Sequence, residues 1–120
     1  MAAIVKILCL SLFLGVVSAD CSLANLTILQ APTGAKVESK PQWNLTIFNQ
    51  CICTQTQVKL SCKGFQSVEK IDPTVLLKTG DSCLVNNGAP IHYGHDNFTF
   101  TYAADKQFPF TPIDSLIFCS

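Results

Sequence analysis

The sequence predicts an all-β protein, a disulfide-stapled antiparallel β-sandwich of about seven short strands. Apolar and polar residues alternate with period two over much of the chain, whereas helical periodicity is poor. Turn signals recur every 8–15 residues or so, a spacing typical of sandwiches. Six cysteines are spread from Cys21 to Cys119. With 120 residues the chain forms a single domain, and a closed β-barrel is the alternative architecture.

Residues 1–19 have the pattern of a secretory signal peptide. A short segment with one lysine precedes an apolar run over residues 7–17, and Val17-Ser18-Ala19 provides small residues for cleavage. The run has about 11 residues, against roughly 20 for a membrane-spanning helix. We therefore expect a cleaved leader, a mature domain over residues 20–120, a secreted protein and no membrane insertion.

The cysteine count indicates three disulfides. Cys9 would leave with the leader, so the mature chain keeps an even number in an oxidising compartment. These cysteines are Cys21, Cys51, Cys53, Cys62, Cys83 and Cys119. The sequence leaves all 15 pairings open. A zinc site is a weak alternative, because Cys51 and Cys53 form a C-x-C pair without a second pair at finger spacing.

The clearest alternation lies in residues 43–53. Its odd positions carry Trp43, Leu45 and Ile47, which period two places on one face. After a polar break at residues 54–57, alternation resumes over residues 58–62. The pattern predicts a β-hairpin whose apolar, cysteine-bearing face points to the core, with Trp43 in that core rather than on a sugar-stacking surface.

Shorter segments complete the predicted sandwich. The further strands are residues 25–30, 75–77, 83–85, 91–93, 97–102 and 115–119. The turns are predicted at residues 32–34, 72–73, 79–81, 87–88 and 94.

Three N-glycosylation sequons begin at Asn25, Asn44 and Asn97. Each asparagine falls on the polar parity of its predicted strand. A glycan at any of them would therefore point away from the core, although sequons also arise by chance in polar surfaces.

Sites for chemistry are weakly indicated. His92, His95 and Asp96 could hold a metal ion, but they fall beside Gly94, and turn residues are the simpler interpretation. No nucleophile-elbow motif is present, and pairing of all six cysteines would leave no thiol nucleophile. We expect neither an enzyme nor a bound cofactor. Eight lysines, no arginine and zero net charge argue against nucleic-acid binding.

A proline-rich segment over residues 107–112 carries Phe108 and Phe110. The prolines enforce an extended backbone, so the two rings cannot lie on a helix. The rings either anchor a partner or pack back over the sandwich edge.

Several runs together resemble the tapetum determinant family of plants. They are the asparagine–cysteine run at residues 49–53, the run from Val58 to Pro73 with its G-F-x-S-x-E-x-x-D-P pattern, the run at residues 80–91 and the terminal Cys119-Ser120. The resemblance implies a secreted, apoplastic, cysteine-rich ligand of leucine-rich-repeat receptor kinases that acts in cell-fate specification. It implies recognition and not catalysis.

Two segments are candidate receptor contacts under this resemblance, the connection at residues 64–73 and the segment at residues 108–112. Their candidate residues are Phe65, Glu69, Asp72, Phe108 and Phe110. The alternative function is a cell-wall carbohydrate-binding module. It requires exposed aromatic rings, from Trp43 or from Tyr93 beside Tyr102.

Overall fold

The protein is a two-sheet antiparallel β-sandwich with seven strands in the described residues of the computed structural model, which are 21–94 and 97–119. The fold class predicted from the sequence is confirmed. The strands are β1 (Leu26–Val37), β2 (Lys40–Asn49), β3 (Thr54–Ser61), β4 (Leu76–Thr79), β5 (Ser82–Val85), β6 (Phe98–Ala103) and β7 (Thr111–Phe118). The predicted signal peptide, residues 1–19, lies outside the described residues.

The first sheet has the order β1-β2-β6. Its hairpin closes at Glu38 and Ser39, whose φ angles of 47° and 69° are both positive. Two positive φ values match the two-residue turns that suit the twist of a hairpin. The turn predicted at residues 32–34 is wrong: β1 continues through it, with a shift of register between Pro32 and Lys36. Pro and Gly here mark an irregular edge strand rather than its end.

The second sheet has the order β4-β5-β3-β7. β2 and β3 therefore belong to different sheets, and the hairpin predicted between them is wrong. The chain crosses from one sheet to the other at residues 50–53. Buried Asn49 holds this crossover, because its Nδ2 donates to the carbonyls of Cys53 (2.7 Å) and Ile91 (2.8 Å) while its Oδ1 accepts from the Cys51 N–H (3.0 Å). Residues 91–93 form isolated bridges instead of a strand.

The core lies between the sheets and follows the predicted parity. Leu45 and Ile47 of β2 are fully buried, as are Leu60 of β3 and Tyr102 of β6. Alternation thus assigned the inward faces correctly even where it assigned the wrong neighbour. Trp43 packs partly buried against this core and donates its indole N–H to the Ala104 carbonyl at 3.1 Å.

Three disulfides pair all six cysteines of the described residues. They are Cys21–Cys51, Cys53–Cys119 and Cys62–Cys83, with Cα–Cα distances of 5.7, 4.4 and 5.9 Å. They close loops of 30, 66 and 21 residues. In a chain-entropy treatment such loops stabilise the fold by about 3–4 kcal/mol each. This is large against the roughly 5–15 kcal/mol net stability of a domain.

Candidate interaction surface

The connection from Gly64 to Pro73 runs along the outer edge of β6. The Val68 N–H donates to the Ala103 carbonyl (3.0 Å), and the Ala103 N–H donates to the Ser67 hydroxyl (3.0 Å). The connection therefore occupies backbone groups that the edge of the first sheet would otherwise expose. The two hydrogen bonds to Ala103 attach the connection to the sandwich.

Glu69 attaches the same connection to the outward face of the first sheet. Its carboxylate accepts from Gln42 Nε2 at 3.0 Å and from Thr101 Oγ1 at 2.7 Å. Gln42 and Thr101 lie on adjacent strands of the sheet. Glu69 thus bridges β2 and β6, and its hydrogen-bonding capacity is largely used within the molecule.

Asp72 ends the connection in a side-chain turn. Its Oδ1 accepts from the backbone N–H (2.8 Å) and the hydroxyl (2.7 Å) of Thr74, and its carbonyl accepts from the Val75 N–H at 2.8 Å. The hydrogen bonds from the Thr74 hydroxyl and N–H lower the pKa of Asp72 below its ordinary 3.8. The turn delivers the chain into β4.

Phe65 joins the two segments that the sequence suggested as receptor contacts. Its ring centroid lies 5.2 Å from that of Phe108 and 4.9 Å from that of Phe110. It also packs edge-on against Tyr102 at 5.3 Å. These spacings are those of favourable aromatic pairs. The rings pack the proline-rich segment onto the core.

A closed ring of hydrogen bonds holds the backbone of that segment. The Tyr102 hydroxyl donates to Gln30 Oε1 (2.5 Å) and accepts from the Phe108 N–H (2.8 Å), while Gln30 Nε2 donates to the Phe108 carbonyl (2.7 Å). Burial raises the pKa of Tyr102 above its ordinary 10.0, and the Phe108 N–H opposes that rise. Gln30, which pairs with Leu45 on the inward side of β1, was not predicted from the sequence as a functional residue.

An open cleft of about 700 Å³ lies where these two segments meet. Its lining residues are Lys40, Gly64, Gln66, Ser67, Val68, Ala103, Ala104, Asp105, Lys106 and Phe108. The Lys40 ammonium pairs with the Asp105 carboxylate at 2.8 Å on one rim. Val68 is an exposed aliphatic side chain, with 39 % of its surface accessible. The cleft combines apolar contact area with charged groups at the rim, as protein interfaces do.

The five predicted receptor contacts are thus placed close together but unequally exposed. Phe65 and Phe110 retain only 7 % and 5 % of their accessible surface, so their rings serve the core. Glu69 is half-buried and Asp72 is exposed, and both are engaged in hydrogen bonds within the chain. Phe108 alone among the five lines the cleft. The lysines of the rim and Val68 were not predicted from the sequence.

The geometry gives little support to the metal site considered at His92, His95 and Asp96. His95 and Asp96 lie outside the described residues, and His92 Nδ1 is 3.2 Å from the Thr54 hydroxyl. In the described part of the chain, the cluster with metal-ligand spacing consists of the sulfurs of Cys21, Cys53 and Cys119, which are held in disulfides.

The aromatic row that a carbohydrate-binding module requires is not formed. Tyr102 is fully buried and Trp43 is partly buried, whereas Tyr93 is exposed. Tyr93 and Tyr102 therefore do not form the pair of exposed rings that the carbohydrate-binding alternative requires. No helix among residues 21–94 and 97–119 has the length and apolar character to cross a membrane.

Comparisons with known proteins agree with the resemblance seen in the sequence. The family described as "Tapetum determinant 1, C-terminal" matches residues 22–120. TPD1 protein homolog 1 of Arabidopsis thaliana is 32 % identical over 93 residues, covering 75 % of this chain and 51 % of that protein. TPD1 protein homolog 1B of Oryza sativa subsp. japonica is 28 % identical over 92 residues, covering 75 % and 54 %.

The chain spans about half the length of the curated relatives it matches. No solved structure matches it. The family match extends over nearly the whole described sandwich, including five of its six disulfide cysteines and the connection that lines the cleft. The chain is a cysteine-rich member of the tapetum determinant 1 family.

Proposed function

We propose that the protein is a secreted ligand that binds the ectodomain of a leucine-rich-repeat receptor kinase through the cleft beside residues 64–68. One observation carries this proposal. The G-F-x-S run that marks the family resemblance builds one wall of an open cleft, and the proline-rich segment contributes Phe108 to it. The candidate recognition segments thus meet at one accessible place.

The construction of the cleft suits recognition. Its wall is fixed by the Ser67 and Val68 hydrogen bonds to Ala103. A fixed wall reduces the conformational entropy lost on association. A leucine-rich-repeat solenoid presents an extended concave surface that can receive such a rigid body.

The disulfides support the secreted part of the proposal. Three bridges in a small domain are typical of proteins that fold in an oxidising compartment. In the cytosol these thiols would be kept reduced, and the domain would lose the stabilisation of about 3–4 kcal/mol that each bridge supplies. The sandwich therefore suits the apoplast.

The proposal is tested by capture of plant receptor-kinase ectodomains on the protein produced in plant cells from the full chain. We expect one leucine-rich-repeat ectodomain to be retained. Val68→Asp should weaken that binding at least tenfold, which corresponds to about 1.4 kcal/mol, because a carboxylate would replace apolar contact area in the cleft.

The matched control is Leu77→Asp. Leu77 lies on β4, away from the cleft, and its 43 % exposure is close to the 39 % of Val68. Binding lost with Leu77→Asp but kept with Val68→Asp would move the interface to the second sheet. Retention on cell-wall polysaccharide with no ectodomain captured would replace the receptor-ligand function by carbohydrate binding.

A further inference from the structure

All three sequon asparagines lie in a strand of the first sheet or immediately before one. Asn44 lies in β2 between Ala31 and Thr101 of the neighbouring strands. Asn25 and Asn97 immediately precede β1 and β6. The strands of the second sheet contain no sequon. The sequence predicts only the parity of these asparagines, whereas the topology brings all three to the first sheet.

The register of β2 and β6, extended by one residue, places Asn97 opposite Phe48, whose side chain is half-buried. Ile47 pairs with Phe98 in the register of β2 and β6. One residue further along each antiparallel strand, Phe48 and Asn97 fall opposite each other. Asn97 shares its parity with outward-facing Thr99, whose hydroxyl lies 3.0 Å from that of Thr46. Directly paired positions have Cβ atoms about 5 Å apart.

A second cleft, of about 550 Å³, opens next to this position. It is lined by Phe48, Asn49, Gln50, Tyr93 and Gly94. Tyr93 has 58 % of its surface exposed. The two aromatic side chains thus flank this space, and Phe48 is the position that the extended register places opposite Asn97.

We propose that Asn97 carries an N-linked glycan and that its first N-acetylglucosamine ring packs in the cleft between Phe48 and Tyr93. Asn25 and Asn44 extend the glycosylated surface over the same side of the first sheet. Aromatic rings offer apolar area to the face of a sugar ring, and the Gln50 amide offers hydrogen bonds to its hydroxyls. This proposal rests on the secretion that the proposed function includes.

The modification itself is a glycosyl transfer. A bond forms between Asn97 Nδ2 and C1 of the first N-acetylglucosamine, and the bond between that carbon and the diphosphate oxygen of a lipid-linked oligosaccharide breaks. Nδ2 loses one proton, and the lipid diphosphate leaves with the bonding electron pair. No redox partner is involved.

The experiment uses the full chain secreted from cells that retain high-mannose glycans. Mass spectrometry of the peptide with Asn97 should find the glycan. Trimming with an endoglycosidase that leaves one N-acetylglucosamine on the asparagine should leave the midpoint of thermal unfolding unchanged. An amidase that removes the whole glycan should lower the midpoint by about 4 °C or more.

Variants separate packing of the sugar from the presence of glycans in general. Phe48→Ala should lower the midpoint of thermal unfolding by more in the glycosylated protein than in the Asn97→Gln background. In the glycosylated protein the substitution removes a ring that packs against the sugar, whereas in the Asn97→Gln background no sugar is present. Asn44→Gln is the matched control: Asn44 lies four residues from Phe48 along β2, about 13 Å away. Removing its glycan should leave the Phe48→Ala effect unchanged.

Each outcome decides the proposal. A secreted, disulfide-bonded protein with unmodified Asn97 would overturn it while leaving receptor binding intact. Equal effects of Phe48→Ala with and without the Asn97 glycan would overturn the packing. Retention of the chain inside the cell with free thiols would overturn both this inference and the secreted ligand function.

Discussion

Tyr102 illustrates how single residues decide the position of the candidate surface. Its hydroxyl lies in a ring of hydrogen bonds with Gln30 and the backbone of Phe108. The ring holds the proline-rich segment at the edge of the cleft, where residues 104–110 belong to no strand. A phenol in the core is tolerated because both of its hydrogen-bonding functions are satisfied.

Tyr102→Phe should lower the free energy of unfolding by about 1–3 kcal/mol, because the Phe108 N–H and the Gln30 carbonyl oxygen lose a partner in a partly buried site. Urea unfolding at neutral pH measures the loss. Phe98→Tyr on the same strand, at a partly exposed position, is the control for a general effect of the hydroxyl. Equal stability of Tyr102→Phe and the wild type would show that the ring contributes nothing.

Tyr102 also sets an alkaline dependence. Since its pKa in the folded protein lies above 10.0, the unfolded chain releases this proton first as the pH rises. Its contribution to stability is therefore complete below pH 10.0 and declines as the pH rises through the folded-state pKa. Tyr102→Phe should show a shallower alkaline decline.

Thr74→Val should raise the pKa of Asp72 towards 3.8, because the variant lacks the hydroxyl that donates to the carboxylate. NMR titration of the Asp72 carboxyl carbon measures this shift. The lowered pKa stabilises the fold above pH 3.8, and that contribution is lost as the pH falls through the folded-state value. Asp72 is exposed, so the effect on stability is small. An unchanged pKa in Thr74→Val would show that the hydroxyl is not the cause.

Among the elements, the connection at residues 64–73 covers the outer edge of β6, as an additional edge strand would. It pairs with β6 through Ser67 and Val68 and bridges β2 and β6 through Glu69. The structure thereby gives a role to four positions of the G-F-x-S-x-E-x-x-D-P run: Phe65 packs the core, Ser67 and Glu69 attach to the first sheet, and Asp72 forms the turn.

Ser67→Ala should destabilise the fold by about 1–3 kcal/mol, because the N–H of fully buried Ala103 would lose its acceptor. Unfolding in urea measures this change. Amide hydrogen exchange at Ala103 should also become faster, since the connection would open locally. Ser61→Ala, on the outward side of β3, is the control and should have little effect. Unchanged protection at Ala103 would contradict the role given to the connection.

The elements also show how far the sequence could predict the fold. Period two identified the buried faces of β2, β3 and β6, because a strand's side chains alternate whatever its neighbour is. The same pattern does not specify which strands pair. The sequence therefore predicts a hairpin of β2 and β3, whereas the structure places these strands in different sheets. The available signal was Asn49, a polar residue on the inward parity, whose buried side chain organises the crossover.

The candidate surface was predicted only in part. The two segments that meet at the cleft were predicted from the sequence. Their aromatic and acidic residues were predicted as the receptor contacts. Folding buries Phe65 and Phe110, while Val68 and Lys106 face outward. Long-range packing decides this distribution, since period two puts Phe108 and Phe110 on one side of the extended segment without specifying what that side packs against.

For the whole molecule, the disulfides connect the ends of the sandwich to its crossover. Cys51 and Cys53 flank exposed Ile52 at the crossover and bond to Cys21 and Cys119, at the two ends of the described residues. Cys62–Cys83 lies fully buried within the second sheet. The cleft and the proposed glycosylated surface both depend on these disulfides, because the disulfides hold the strands that carry them in fixed positions.

The disulfide map of the protein collected outside cells is therefore the most direct test of the proposal that this protein is a secreted ligand with a rigid, disulfide-bonded fold. No residue but Ile52 separates Cys51 from Cys53, so fragmentation of the backbone between them in the mass spectrometer is needed to distinguish their partners. We predict Cys21–Cys51, Cys53–Cys119 and Cys62–Cys83 with no reduced thiol. Free thiols, or the exchanged pairs Cys21–Cys53 and Cys51–Cys119, would contradict the account.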